Sequence, residues 1–101
     1  MIIIYITTSS KEEAGKIAQH LLKNKLIVCA NFFPINSLYL DSGKIKEDDE
    51  FVLLLKTVED KYNEIVKEVT KLHSYSVPCI LKMDVVPNEA YGKWLNGQFM
   101  S

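Results

Sequence analysis

Arginine is absent from this 101-residue chain; all twelve basic side chains are lysine. The planar guanidinium fork on which most phosphate and guanine recognition relies is therefore missing, and lysine remains only as a point charge for phosphate. An excess of either charge is missing too. Twelve basic against thirteen acidic residues leave a formal net charge of -1, too little to draw in nucleic acid or an anionic membrane. No apolar run approaches the ~20 residues that span a bilayer. Cysteine is confined to Cys29 and Cys79, both in apolar stretches without CxxC spacing, which argues against a disulfide framework and suits a reducing, cytoplasmic setting. Met1 and the apolar residues after it carry no basic leader and no small-residue cleavage site, so they read as a buried strand and not as a signal peptide. No linker, repeat or low-complexity segment divides the chain.

What is present is apolar content, 48% of the residues, enough for one modest core, so residues 1–101 are expected to form a single domain. Residues 26–57 organise it. Two apolar, aromatic-containing runs flank Asp41, Ser42, Gly43 and Lys44, with glycine available for the positive φ of a tight turn, and this predicts one long β-hairpin. Arms of fifteen residues reach roughly 50 Å at ~3.3 Å per residue, whereas a domain of this length measures about 25 to 35 Å across. The distal part, around Tyr39 and Ile45, therefore carries apolar side chains that one small body cannot cover. Long exposed strands pair with other chains, so self-association is expected.

Around the hairpin the periodicity predicts two amphipathic helices. Ala14, Ile17, Ala18, Leu21 and Leu22 share one face behind a capping box at Ser9 and Glu12 or Ser10 and Glu13, and His20 falls outside the stripe as a solvated imidazole. Val58, Tyr62, Ile65, Val66, Val69 and Leu72 repeat the design behind a second capping box at Thr57 and Asp60. Pro78 ends the exit loop that begins at His73. Residues 79–86 predict a last core strand, residues 89–94 a short helix, and residues 97–101 a tail with little to order it. The order β-α-β-β-α-β plus a C-terminal helix is an α+β, ferredoxin-like split βαβ arrangement, with strand order 4-1-3-2. Right-handed crossovers place both helices on one face and leave the other bare, a second reason to expect self-association.

Three segments carry a family resemblance. The first is Ile27, Val28, Cys29, Ala30, Asn31. The second is Leu38, Tyr39, Leu40 with Gly43, Lys44, Ile45. The third is Lys56-Thr57 followed by His73, Ser74, Tyr75, Ser76, Val77, Pro78. In order and spacing these resemble the CutA family, divalent-cation tolerance proteins, and Tyr91, Trp94 and Leu95 resemble its C-terminal helix. The resemblance implies a ferredoxin-like subunit in a homotrimer whose long strands run into neighbouring subunits, a relation to trimeric PII-like signalling proteins, and an association with copper and other divalent metals. The chain departs from the pattern at Leu40, where tryptophan is usual, at Ser74, and at Ser76 and Cys79, where glutamate is common.

The candidate residues each have a plainer reading beside the functional one. Cys29 in an apolar run is ordinarily an inert core thiol; as a functional group it is a soft metal donor. Strand order places it three strands from Cys79, ~14 Å at ~4.8 Å per strand, so the two cannot bridge within one chain. His73 caps a helix C-terminus, yet with Tyr75, in a loop that the resemblance puts at an inter-subunit crevice, it is the first candidate for ligand or metal contact. Imidazole and thiolate suit copper or zinc, and Cys29, His73 and Cys79 form the candidate metal set. Glu47, Asp48, Asp49 and Glu50 alternate between faces, so only two could share one ion; as strand charges they read first as gatekeepers against aggregation. Lys56 is either a snorkelling side chain or an anion contact. Tyr39, Lys56, His73, Tyr75 and Trp94 form the candidate ligand crevice.

No nucleophile with a positioned base and no glycine-rich phosphate loop is visible, so no enzyme is expected. No RNA-binding module is expected either, because Phe51 to Leu55 offers mainly aliphatic residues. The expected function is a homotrimeric divalent-cation tolerance protein, without an obligatory cofactor, that binds copper, another divalent cation or a small ligand where subunits meet. The alternatives are a PII-like signalling or scaffold trimer with no metal role, and a small enzyme on the same fold.

Overall fold

The computed structural model describes residues 1–100; Ser101, the end of the expected tail, lies outside the described residues. The elements follow in the order β1 (Ile2–Thr8), α1 (Lys11–Lys23), β2 (Cys29–Asp41), β3 (Lys44–Thr57), α2 (Tyr62–Leu72), β4 (Ile80–Asp84) and α3 (Glu89–Gln98). One antiparallel sheet, ordered β2-β3-β1-β4, joins the four strands. This is the expected α+β split βαβ arrangement.

Period-two alternation decides what the sheet buries. Ile2, Ile4 and Ile6 of β1 face the same side as Leu53 and Leu55 of β3, and there they meet Ala14, Ile17, Ala18 and Leu21 of α1 and Ile65 and Val69 of α2 in one core. The other face presents Ile3, Tyr5, Leu54, Leu81 and Met83, and no helix of the core lies over it.

The hairpin is long, though its paired arms are shorter than the fifteen residues expected. Thirteen pairs run from Cys29 opposite Lys56 to Asp41 opposite Lys44, and the molecule measures 47 × 25 × 21 Å. Ser42 (φ 53°) and Gly43 (φ 78°) both adopt left-handed backbone, as a two-residue type I′ loop requires. Beyond the helices the ribbon stands alone, with Leu38, Leu40 and Ile45 70%, 76% and 78% exposed.

Several local expectations change. Strand β2 begins at Cys29 and not at Leu26: Lys25 takes a left-handed φ of 56°, the Leu26 N–H returns to the Leu21 carbonyl at 3.0 Å, and Leu26 and Ile27 enter the core ahead of the ladder. Thr57 does not cap α2. Fully buried at the end of β3, its hydroxyl donates to the Leu26 carbonyl at 2.6 Å, and α2 starts after a 3-10 turn over Glu59–Lys61 without a side-chain cap. A buried carbonyl needs that donor more than an exposed helix end does. His20 is not simply solvated, because its Nε2 lies 2.9 Å from Glu68 Oε1 and ties α1 to α2. Pro78 delays β4 until Ile80, so Cys79 is exposed in the approach to the strand and not inside it. Helix α3 runs on to Gln98, and the N–H of Met100 still donates to the Gly97 carbonyl.

Candidate functional site

The N-terminus of α1 anchors the loop that carries the site. Ser10 is the N-cap, its hydroxyl accepting from the Glu13 N–H at 3.1 Å, so of the two predicted capping boxes the Ser10–Glu13 pair forms, but only in this half, because the returning carboxylate goes to Ser9 and not to Ser10. The Glu13 carboxylate reaches back to the N–H and hydroxyl of Ser9, each at 2.9 Å, and across to the N–H of Ser74 at 2.8 Å. Burial alone would raise this carboxyl, but the donors from Ser9 and Ser74 win and hold it at about 2 instead of 4.5. A folded-state value below the unfolded one contributes stability that is complete above about pH 4.5 and lost as pH falls towards 2. Glu13→Gln is therefore expected to lower stability at neutral pH by on the order of 1 to 2 kcal/mol, allowing for solvent screening, and to flatten the acid flank of a urea-midpoint against pH curve. An unchanged acid flank would refute that role.

His73 closes α2, its N–H donating to the Val69 carbonyl at 2.9 Å. The imidazole is buried. The N–H of Tyr75 donates to Nδ1 at 3.0 Å, so the proton sits on Nε2 and is donated to the Thr7 carbonyl at 2.8 Å. Both ring nitrogens are thus engaged by backbone, and the ring supports Tyr75, whose own ring lies 4.7 Å away. The imidazole named as a metal donor works here as a strut between the loop and β1.

Above that strut lies an open cleft of about 640 Å³ whose lining includes Tyr39, Asp41, Asp48, Glu50, Tyr75 and Cys79. Strand alternation sets Asp48 and Glu50 on one face of β3. Tyr75 donates its hydroxyl to Glu50 at 2.6 Å, and Tyr39 donates to Asp48. Burial and then the Glu50 carboxylate push the Tyr75 phenol well above its usual range, and the bond to Asp48 raises that of Tyr39. Both phenols therefore stay protonated as donors. Lys46 pairs with Asp41 at 2.8 Å and reaches Asp48 only through its field; one ammonium against the carboxylates of Asp41, Asp48 and Glu50 leaves the cleft acidic and attractive to cations. Cys79 lines it, while both nitrogens of the nearby His73 are taken by backbone.

Of the predicted crevice, the structure brings together Tyr39 and Tyr75 with His73 beneath, and Cys79 joins them. Lys56 and Trp94 are elsewhere. Lys56 stands opposite Cys29 at the far end of the sheet, with its ammonium 5.5 Å from the Tyr91 ring centre, and Tyr91 packs 5.5 Å from Trp94. Cys29 and Cys79 fall on opposite edges of the sheet, as the strand order predicts. Among the described residues no three histidine, cysteine, aspartate or glutamate side chains converge as a metal site. Sequence reasoning read Asp48 and Glu50 first as gatekeepers and missed the span from Glu13 to Ser74. The serine–glutamate capping pattern signalled only the local half of that contact.

Comparison with known proteins places this geometry. The family model described as CutA1 divalent ion tolerance protein matches residues 2–98. The divalent-cation tolerance protein CutA of Pyrococcus horikoshii is 45% identical over 96 residues, covering 94% of each chain. The solved periplasmic divalent cation tolerance protein CutA from Archaeoglobus fulgidus superposes with a TM-score of 0.94 at 39% identity, covering 98% of this chain and 99% of that one. The crystal structure of CutA1 from Pyrococcus horikoshii gives 0.92 at 42% identity, with 97% of each chain covered. The fold is thus shared nearly end to end with solved relatives, the family match spans residues 2–98, and the chain belongs to the CutA family of divalent-cation tolerance proteins.

Proposed function

We propose that this chain acts as a homotrimer that binds copper, another divalent cation or a small ligand in crevices between subunits, and that it catalyses no reaction. The observation that carries the reading is the ribbon. Leu38, Leu40 and Ile45 lie beyond any cover their own chain offers, and burying them against sister copies at ~25 cal/mol per Å² favours association. The acidic cleft supplies cation attraction. Among the described residues its donors within one chain are too few for a closed coordination shell, so a metal held there would take ligands from two copies. Two free thiols suit a reducing compartment, and we place the protein in the cytoplasm.

A PII-like signalling or scaffold trimer without a metal role is the second reading, favoured by the engagement of both His73 nitrogens. Light scattering on a size-exclusion column is expected to give the mass of three chains, and a single-chain mass would overturn both readings. Copper titration separates them. Stoichiometric binding weakened by Cys29→Ser, Cys79→Ser or His73→Ala supports the metal reading, and no saturable binding by the trimer supports the signalling one.

A further inference from the structure

The charges on the bare face of the sheet do not balance locally. Alternation places Lys44, Lys46, Asp48, Glu50 and Lys56 of β3 on that face, with Asp41 of β2 beside the turn. Lys46 is paired with Asp41, and Lys44 sits at the exposed loop. Among the described residues, Asp48 and Glu50 receive hydrogen bonds only from the neutral hydroxyls of Tyr39 and Tyr75. Lys56, half-buried beside the apolar Ile3 and Leu54, has no carboxylate partner among the described residues and meets only the Tyr91 ring.

These unmatched charges cannot find each other within one chain. Six residue steps along extended β3 separate Glu50 from Lys56, roughly 20 Å at ~3.4 Å per residue, farther than the two side chains span together. Covering the bare face with another copy would strip water from both ends, and an unpaired charge buried in this way is strongly destabilising. A head-to-tail contact, in which one end of the sheet meets the opposite end of the next copy, removes the conflict. It also closes into a ring in which every copy donates once and accepts once.

We infer that the Lys56 ammonium of one copy enters the Asp48–Glu50 cleft of its neighbour, so that each cleft is completed by a cation from another chain. The inference rests on the proposed assembly, in its reading without a metal role, because an ammonium in the cleft takes the place a divalent cation would, and it names the contact that orients the copies. It also accounts for the division of the predicted crevice between the two ends of one sheet: Tyr39 and Tyr75 come from one copy, Lys56 and Trp94 from the next.

Zero-length carbodiimide crosslinking of the wild-type protein, made from a mixture of ¹⁴N- and ¹⁵N-labelled chains, tests the pairing. An amide between Lys56 and Glu50 or Asp48 in mixed-isotope peptides is expected. Lys56→Glu and Glu50→Lys are each expected to raise the dissociation constant of the assembly by roughly 30-fold or more, and the double variant to recover most of that loss. A wild-type trimer that forms no such amide overturns the pairing and leaves the assembly standing, as does a double variant no tighter than the weaker single one. A wild-type protein of single-chain mass overturns pairing and assembly together.

Discussion

A chain in which residues 38–47 are replaced by Asn-Gly is expected to fold normally and to run as single copies. The excision moves the loop down to the Ser37–Asp48 pair, which keeps the register of the remaining ladder, and Asn-Gly supplies the left-handed backbone that Ser42 and Gly43 supply now. What is lost is the uncovered ribbon, including Leu38, Leu40 and Ile45, together with Tyr39. The core contains none of these residues, so the far-ultraviolet circular dichroism should retain both core helices while light scattering falls to the mass of one chain. Should the shortened protein keep the wild-type oligomeric mass, the ribbon is not what joins the copies.

Leu55→Ala is expected to cost about 2 to 5 kcal/mol, the range for truncating a fully buried leucine. Leu55 is fully buried between Ile4 on β1 and Ala30 on β2, on the face that α1 and α2 cover. Removing its isobutyl group leaves a cavity that two rigid strands cannot collapse around. Set against a typical total of 5 to 15 kcal/mol, the loss is large. Leu54→Ala, one residue away on the opposite face and only half-buried, provides the control: in dilute, dissociated protein it should cost far less, and its main effect should fall on association. Urea midpoints measured at several protein concentrations separate the two, and equal, concentration-independent losses would contradict the assignment of faces.

The same contrast shows which parts of the fold were legible beforehand. The alternation of Ile2, Ile4 and Ile6, the three-and-four spacing of Ala14, Ile17 and Leu21, and the Gly43 turn are local patterns, and the elements they predict form where expected. The second capping box was also a local pattern, yet it failed because Leu26, far from Thr57 in sequence, presented a buried carbonyl to its hydroxyl. His20 and Glu68 on separate helices, and Glu13 with Ser74, are likewise pairings across long stretches of sequence that no periodicity reports. The site divides in the same way. Tyr39, His73 and Tyr75 were named from motifs and do converge, whereas Lys56 and Trp94 were named beside them and lie at the other end of the sheet.

Strand and helix identity, the length of the ribbon and its excess of apolar surface were settled by the order of residues along the chain, because each depends on neighbours two to four positions away. Which carboxylate holds which phenol, which backbone groups engage the two imidazole nitrogens of His73, and which lysine stands too far off to serve its own cleft were settled only when the sheet brought distant strands into register. Those contacts are short-ranged, and a shift of one residue in pairing would have sent every side chain concerned to the opposite face.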